Sequence, residues 1–195
     1  MVKTLLGLED VDPDKPDIYG QTPLLCAAVN GYEGVVKTLL ERHIVNPDKQ
    51  DMYSQTPLWC APAGGHEGVV QTLLEHEVNH DKQDEHGRTP LWCAILNRHQ
   101  GVVNILLGRS DVDPEKPDID GRTPLACAAR NGDEEIVEML LRRVVSPSKP
   151  SQFGETPLWW ADSNGHSNVV KILLSATTSA QTNQIPMAEH HSDGL

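Results

Sequence analysis

The chain has 195 residues, of which 38% are hydrophobic and 23% charged, a composition typical of globular proteins rather than disordered or membrane-spanning ones. Its 28 acidic and 16 basic residues give a net charge of −12, which disfavours nucleic-acid binding because such a surface repels phosphate backbones. No apolar run is long enough for a signal-peptide core or a membrane span. Four cysteines without a secretory signal predict a reducing, intracellular location, which is the cytoplasm or alternatively the nucleus.

The tripeptide Thr-Pro-Leu recurs five times along the chain. It begins 33 or 34 residues apart, at Thr22, Thr56, Thr89, Thr123 and Thr156. A pair of leucines follows each threonine after 17 residues, as at Leu39 and Leu40. Two landmarks that recur in phase predict one supersecondary unit per repeat. The spacing changes only after the leucine pair, and this predicts a loop there.

Each unit is predicted to contain two short helices. The threonine is a good N-cap and the proline suits the first turn, so the first helix begins at Thr22 and ends near Asn30 and Gly31. The second helix carries its paired valines and leucines on one apolar stripe. Helices this short are marginal in isolation, so the units must stack, and we predict an all-α solenoid.

The pattern Asp-x-x-Gly-x-Thr-Pro-Leu, followed by Ala-Ala, Asn-Gly, paired valines and paired leucines, resembles the ankyrin repeat. The resemblance covers residues 1–174 and implies an ankyrin-repeat solenoid of stacked helix-turn-helix units with projecting hairpin-like loops, or fingers. This chain lacks the family's usual histidine after Thr-Pro-Leu and the hydrogen bond that it makes to the neighbouring loop. The replacements are Leu25, Trp59, Trp92, Ala126 and Trp159.

The predicted boundaries follow from this register. Residues 1–8 match a second helix whose first helix is absent, since Val2–Leu6 has the same sequence as Val36–Leu40. This favours a chain that starts late in a longer array. The predicted units are a half-repeat at 1–16, repeats at 17–50, 51–83, 84–117, 118–150 and 151–174, and a flexible polar tail at 175–195.

Pro62 lies about six residues into the first helix of repeat two. A proline inside a helix removes a backbone donor, at a cost of about 3 kcal/mol. We therefore expect this helix to be short or kinked.

One segment matches the H-E-x-x-H motif of zinc proteases, in which both histidines bind zinc from one helical face. Its residues are His76, Glu77, Val78, Asn79 and His80. The repeat register places this segment in the link after Leu73 and Leu74, where the two imidazoles need not converge. A zinc hydrolase is kept as the alternative from another functional class, and no metal or cofactor is otherwise predicted.

Three residue types recur at equivalent positions and are predicted to be structural. The cysteines are expected to act as small buried hydrophobes. The tryptophans are expected to pack between stacked repeats, and the histidines to occupy structural positions of the family's scaffold. These sets are Cys26, Cys60, Cys93 and Cys127; Trp59, Trp92 and Trp159; and His66, His99 and His166.

The positions that vary between repeats are the candidates for function. In similar ankyrin arrays they line a concave groove and contact partner proteins. The resemblance implies partner-binding roles for Ile18, Tyr19, Gln21, Met52, Tyr53, Gln55, His86, Arg88, Asp120, Arg122, Arg130 and Phe153. The apolar residues on repeats one and two suit a binding hot spot. A basic cluster in repeats three and four consists of Arg88, Arg122 and Arg130. We expect this cluster to face the acidic end of a partner segment.

The sequence therefore predicts a non-catalytic protein–protein interaction module. Its partner is a protein of unknown identity, with no nucleic acid or membrane involved, and we expect a monomer unless the exposed ends of the array associate. Two alternatives of the same non-catalytic kind stay open: a ligand-sensing fragment of a larger multidomain NACHT-type receptor, and a structural spacer.

Overall fold

The computed structural model describes residues 12–42, 44–143 and 145–182, with side chains described up to residue 178. These residues contain ten helices and no strand, which confirms the all-α class. The first helices of the five repeats are α1 (Pro23–Val29), α3 (Pro57–Ala63), α5 (Pro90–Leu96), α7 (Pro124–Asn131) and α9 (Pro157–Ser163). The second helices are α2 (Glu33–Leu40), α4 (Glu67–Leu74), α6 (Gln100–Leu107), α8 (Glu134–Leu141) and α10 (Ser167–Thr182).

The helices form two parallel layers. Each first helix packs against the first helix of the next repeat, and each second helix packs against the second helix of the next repeat. The two helices of a repeat also pack against each other. This nearest-neighbour stacking is the predicted solenoid, in which each unit buries its apolar surface on the units beside it.

The recurring threonine and proline of each repeat explain where the first helices begin. In every repeat the threonine hydroxyl accepts a hydrogen bond from the backbone N–H three residues later, at 3.1 to 3.2 Å. The proline occupies the first turn, where its missing N–H costs nothing. The five predicted helix starts are therefore confirmed.

The leucines that follow these landmarks form the core between the two layers. Leu24, Leu58, Leu91 and Leu125 are buried in the first helices, and Leu39, Leu73, Leu106, Leu140 and Leu173 are buried in the second. Valines from the second helices complete the same cluster. One apolar stripe per helix thus accounts for the core, as the periodicity predicts.

Helix α3 does not show the shortening that we expected from Pro62. It spans seven residues, as do α1, α5 and α9. Pro62 lies in the last turn and its side chain is buried, so it removes one donor near the helix end. The carbonyls of Ala61 and Pro62 still accept hydrogen bonds from the N–H groups of His66 and Gly65, at 3.2 Å each.

Helix α10 extends past the boundary that the sequence predicted at residue 174. It continues to Thr182 because neither glycine nor proline interrupts it. The hydroxyls of Ser175 and Thr177 donate to carbonyls one turn back. The predicted half-repeat helix at 1–8 and the tail from residue 183 lie outside the described residues. Within the described part of the chain, no helix combines the length and the apolar character needed to cross a membrane.

Candidate partner-binding surface

The five fingers are tight turns that precede the first helices. In repeat one the Asp17 carboxylate accepts hydrogen bonds from the N–H groups of Tyr19 and Gln21, at 2.8 and 2.9 Å. The Asp17 N–H donates to the Gln21 carbonyl and closes the turn. Asp51, Asp84 and Asp118 repeat this arrangement, and the Ser151 hydroxyl replaces it in repeat five. Each tip is thus fixed by hydrogen bonds within its own finger.

Backbone hydrogen bonds join the fingertips into one continuous row. The N–H of Met52 donates to the Tyr19 carbonyl at 3.0 Å, and the N–H of Glu85 donates to the Tyr53 carbonyl at 3.2 Å. The same bond links repeat three to repeat four and repeat four to repeat five. We call the tip residues of the five repeats the finger row: Ile18, Tyr19, Met52, Tyr53, Glu85, His86, Ile119, Asp120, Gln152 and Phe153.

Large apolar side chains are exposed along the finger row. Their exposed fractions range from 45% for Tyr53 to 89% for Ile18, and the set comprises Ile18, Tyr19, Met52, Tyr53, Ile119 and Phe153. The tip of repeat three is polar instead, and the Nδ1 atom of His86 lies 3.9 Å from a carboxylate oxygen of Glu85. The row therefore presents one apolar patch on repeats one and two and another on repeats four and five.

The predicted basic cluster is largely neutralised within the fingers. The Arg88 guanidinium binds the Asp84 carboxylate at 2.7 Å, and that of Arg122 binds Asp118 at 2.8 Å and also Asp120. Arg130 lies over the Trp160 ring, with its guanidinium carbon 5.4 Å from the ring centroid. These side chains are brought to one region, but two of the three already have carboxylate partners.

The remaining predicted positions are partly turned inward. Gln21 and Gln55 are half-buried, and their amide oxygens lie 3.7 Å from the sulfurs of Cys26 and Cys60. Each glutamine occupies the position that Arg88 and Arg122 hold in repeats three and four. These glutamines therefore help to position the base of a finger rather than its tip.

The cysteines behave as the sequence predicts. All four thiols are free; Cys60, Cys93 and Cys127 are buried and Cys26 is half-buried. Burial raises the pKa of the Cys93 and Cys127 thiols to about 12 and raises the pKa of Cys60 as well. Because the thiolate is the nucleophile, these side chains are poorly suited to catalysis at neutral pH.

We expect the native protein to resist thiol modification. Near pH 8, Cys60, Cys93 and Cys127 should react with a disulfide reagent such as DTNB at least about a hundredfold more slowly than in urea, because their pKa values are raised and the side chains are covered. Cys26 should react first, and raising the pH should increase its rate. Following thiol release by absorbance, with Cys26→Ser as control, measures this. Rapid release of several equivalents from the folded Cys26→Ser protein would contradict it.

The histidines at the equivalent positions 66, 99 and 166 have the predicted structural role, and each links its repeat to the preceding one. The Nε2 atoms of His66, His99 and His166 lie 3.0 to 3.1 Å from carbonyl oxygens of the preceding repeat. Gly31 permits this approach because it has a positive φ of 70° and because a Cβ there would lie 2.5 Å from His66 Nδ1. These histidines are scaffold residues.

The tryptophan column is only partly as predicted. Trp59 and Trp92 are buried, but Trp159 is 48% exposed. The prediction of packing between stacked repeats is wrong for Trp159, because among the described residues no further repeat covers that side of α9. The residue instead lines an open groove at the end of the array.

The H-E-x-x-H segment has no helical geometry. Helix α4 ends at Leu74, and His76–His80 lies in the link that follows. His80 Nδ1 is 3.4 Å from a carboxylate oxygen of Asp111. In the part of the chain that the structure describes, no three His, Cys, Asp or Glu side chains converge as metal ligands. The structure gives the zinc-hydrolase alternative no support.

Comparisons with known proteins agree with this architecture. A family model described as ankyrin repeats (3 copies) matches residues 41–118 and 108–184, and a model of the single ankyrin repeat matches residues 19–52. No curated protein matches the chain, and the comparisons lend no support to the receptor-fragment alternative. Ankyrin repeats are generally protein–protein interaction modules and are typically non-catalytic. These matches cover most of the sequence, and the chain therefore belongs to the ankyrin-repeat family.

Proposed function

We propose that this chain is a non-catalytic module that binds a segment of another protein along its finger row. The observation that carries the proposal is the set of six large apolar side chains exposed on the row, at fractions of 45% to 89%. Exposed apolar groups that lie together are typical of interaction sites. Tyrosine in particular provides a large contact area with few rotatable bonds.

The rigidity of the fingers supports this proposal. Four of the tips are held by backbone N–H groups that donate to the carboxylates of Asp17, Asp51, Asp84 and Asp118, and backbone bonds hold the tips to one another. A surface that is ordered before binding loses less conformational entropy when a partner docks. The row can therefore contact several side chains of a partner at once without rearrangement.

The charge pattern bears on the kind of segment that the row binds. The sequence suggested an acidic partner end over repeats three and four, but Arg88 and Arg122 are paired with carboxylates of their own fingers. We therefore propose that apolar contacts on repeats one and two, and on repeats four and five, provide most of the affinity. Binding should then depend only weakly on salt concentration.

The test compares the wild type with a Tyr19→Ala, Tyr53→Ala variant. A partner is first identified by cross-linking in a lysate of the source cell, and its dissociation constant is then measured by titration calorimetry. We expect the double variant to bind at least about thirtyfold more weakly, because two aromatic contacts are lost from the centre of the patch.

Tyr32→Ala is the matched control. Tyr32 is exposed at the opposite end of α1, in the turn before α2, and does not belong to the finger row. This variant should bind within about twofold of the wild type. Equal binding by the Tyr19→Ala, Tyr53→Ala variant, with circular dichroism showing an intact fold, would reject the finger row as the binding site.

A further inference from the structure

The last repeat exposes a tryptophan that its equivalents in earlier repeats bury. Trp59, Trp92 and Trp159 are each the third residue of their helices α3, α5 and α9. Trp59 is 8% exposed and Trp92 4%, whereas Trp159 is 48% exposed. The contacts of Trp59 therefore indicate what chemistry can cover a tryptophan at this position.

Trp59 is covered by an arginine from the next repeat. Its indole N–H donates to the Arg88 carbonyl at 3.0 Å, and the Arg88 guanidinium carbon lies 5.7 Å from the ring centroid. The same guanidinium is held by the Asp84 carboxylate at 2.7 Å. A cation over an indole face is attracted to the ring electrons, so this side chain both covers and stabilises the tryptophan.

The sequence places an arginine at the same position in repeat four. The two repeats that follow a tryptophan both contain Gly-Arg-Thr-Pro-Leu, at residues 87–91 and 121–125. The repeats that follow Leu25 and Ala126 have Gln55 and Glu155 at the arginine position. The structure shows the contact itself for Trp59, whereas the indole N–H of Trp92 has no hydrogen-bond partner among the described residues. The cover of Trp59 is therefore the precedent for a ligand at Trp159.

The surface around Trp159 forms a shallow, open groove. Its volume is about 370 Å³, and we call it the end groove; it is lined by Thr156, Leu158, Trp159, Asp162, Val170 and Leu174. Leu174 is 48% exposed, and Asp162 places a carboxylate among these apolar groups. Apolar walls with one acidic group suit a ligand that carries both an apolar side chain and a cation.

Trp159 is held in place before any ligand arrives. Its ring packs edge-to-face on that of Trp160, with centroids 4.9 Å apart and an interplanar angle of 87°. Trp160 is in turn covered by Arg130 of the preceding repeat. The outer face of Trp159 is thus fixed and open, which lowers the entropic cost of binding.

We propose that the end groove is a second protein-docking site, which binds a partner segment carrying an arginine next to an apolar side chain. The guanidinium stacks on Trp159 and pairs with Asp162, while the apolar side chain packs against Val170 and Leu174. A second copy of this chain fits less well, because two proteins of net charge −12 repel each other. The site is separate from the finger row and does not depend on it.

The test selects peptides from a displayed library of random dodecapeptides on the full-length protein. The enrichment of each peptide is compared with its enrichment on a Trp159→Ala variant. We expect the wild type to enrich peptides with arginine beside an apolar residue. In fluorescence anisotropy titrations, Trp159→Ala and replacement of the peptide's arginine by alanine should each weaken binding at least about tenfold. Asp162→Asn should weaken it about threefold, and this loss should disappear at high salt.

Two controls separate the possible outcomes. The Tyr19→Ala, Tyr53→Ala variant should bind the selected peptides as the wild type does, so that failure of the finger-row proposal leaves this one intact. Trp159→Leu keeps apolar area without an indole, should also weaken binding, and serves if Trp159→Ala misfolds. Failure to enrich any peptide, enrichment of peptides without arginine, or binding that persists in both Trp159 variants would overturn the proposal. So would sedimentation equilibrium showing a dimer that Trp159→Ala dissociates.

Discussion

Replacing Leu91 by alanine should lower the free energy of unfolding by about 3–4 kcal/mol, because it leaves a cavity in a fully buried part of the core. Leu91 is 0% exposed and lies in α5, the first helix of the central repeat. Its side chain belongs to the cluster that joins both helix layers. Urea unfolding followed by far-ultraviolet circular dichroism measures the change.

The position of Leu91 in the array adds a second expected result. In a solenoid, each repeat is stabilised mainly by its neighbours, so a weak central repeat uncouples the two halves. Tryptophan fluorescence and circular dichroism should then report different midpoints, since two of the four tryptophans, Trp159 and Trp160, lie in the last repeat. Coincident transitions with an unchanged midpoint would contradict both expectations.

Leu174→Ala is the matched control for Leu91→Ala. It also removes a leucine side chain, but Leu174 is 48% exposed in the end groove. Its replacement should cost less than about 1 kcal/mol, as is usual for surface positions. The difference between the two variants isolates the contribution of burial.

The helix starts could be predicted from sequence because their causes are local. Thr22 caps a helix through a bond to the N–H three residues later, and the proline after it suits the first turn whatever surrounds it. Helix ends were harder to predict. Pro62 lies in the last turn of α3, so it removes only one donor and the helix keeps its seven residues. Helix α10 continues through Ser175, because a polar composition alone does not end a helix.

The candidate site shows the same limit. The register of the repeats predicts that Tyr19 and Tyr53 lie at equivalent tips, and the structure places them in one row. The pairing of Arg88 with Asp84 could not be predicted from sequence. An aspartate three residues before a glycine also suits a turn without any cation nearby. The exposure of Trp159 was missed for a different reason. Recurrence at an equivalent position predicts the same environment only where a neighbouring repeat is present on both sides.

Asp84 is the position in the fingers where a substitution should have the largest effect. Its side chain is almost fully buried; it accepts bonds from the N–H groups of His86 and Arg88 and from the Arg88 guanidinium. Asp84→Ala should lower the free energy of unfolding by about 2–3 kcal/mol, because it leaves two N–H groups and one cation without their acceptor. Thermal and urea unfolding of the purified variant measure this.

Asp51→Ala separates the turn from the ion pair. Asp51 is buried like Asp84 and accepts the same two backbone bonds in repeat two, but Gln55 occupies the position of Arg88 there. Its loss should cost about 1 kcal/mol, so the excess at Asp84 reports the bond to Arg88. Asp84→Asn, which keeps a side-chain oxygen for the backbone N–H groups, should fall between the two. Equal losses at Asp51 and Asp84 would show that the ion pair contributes nothing to stability.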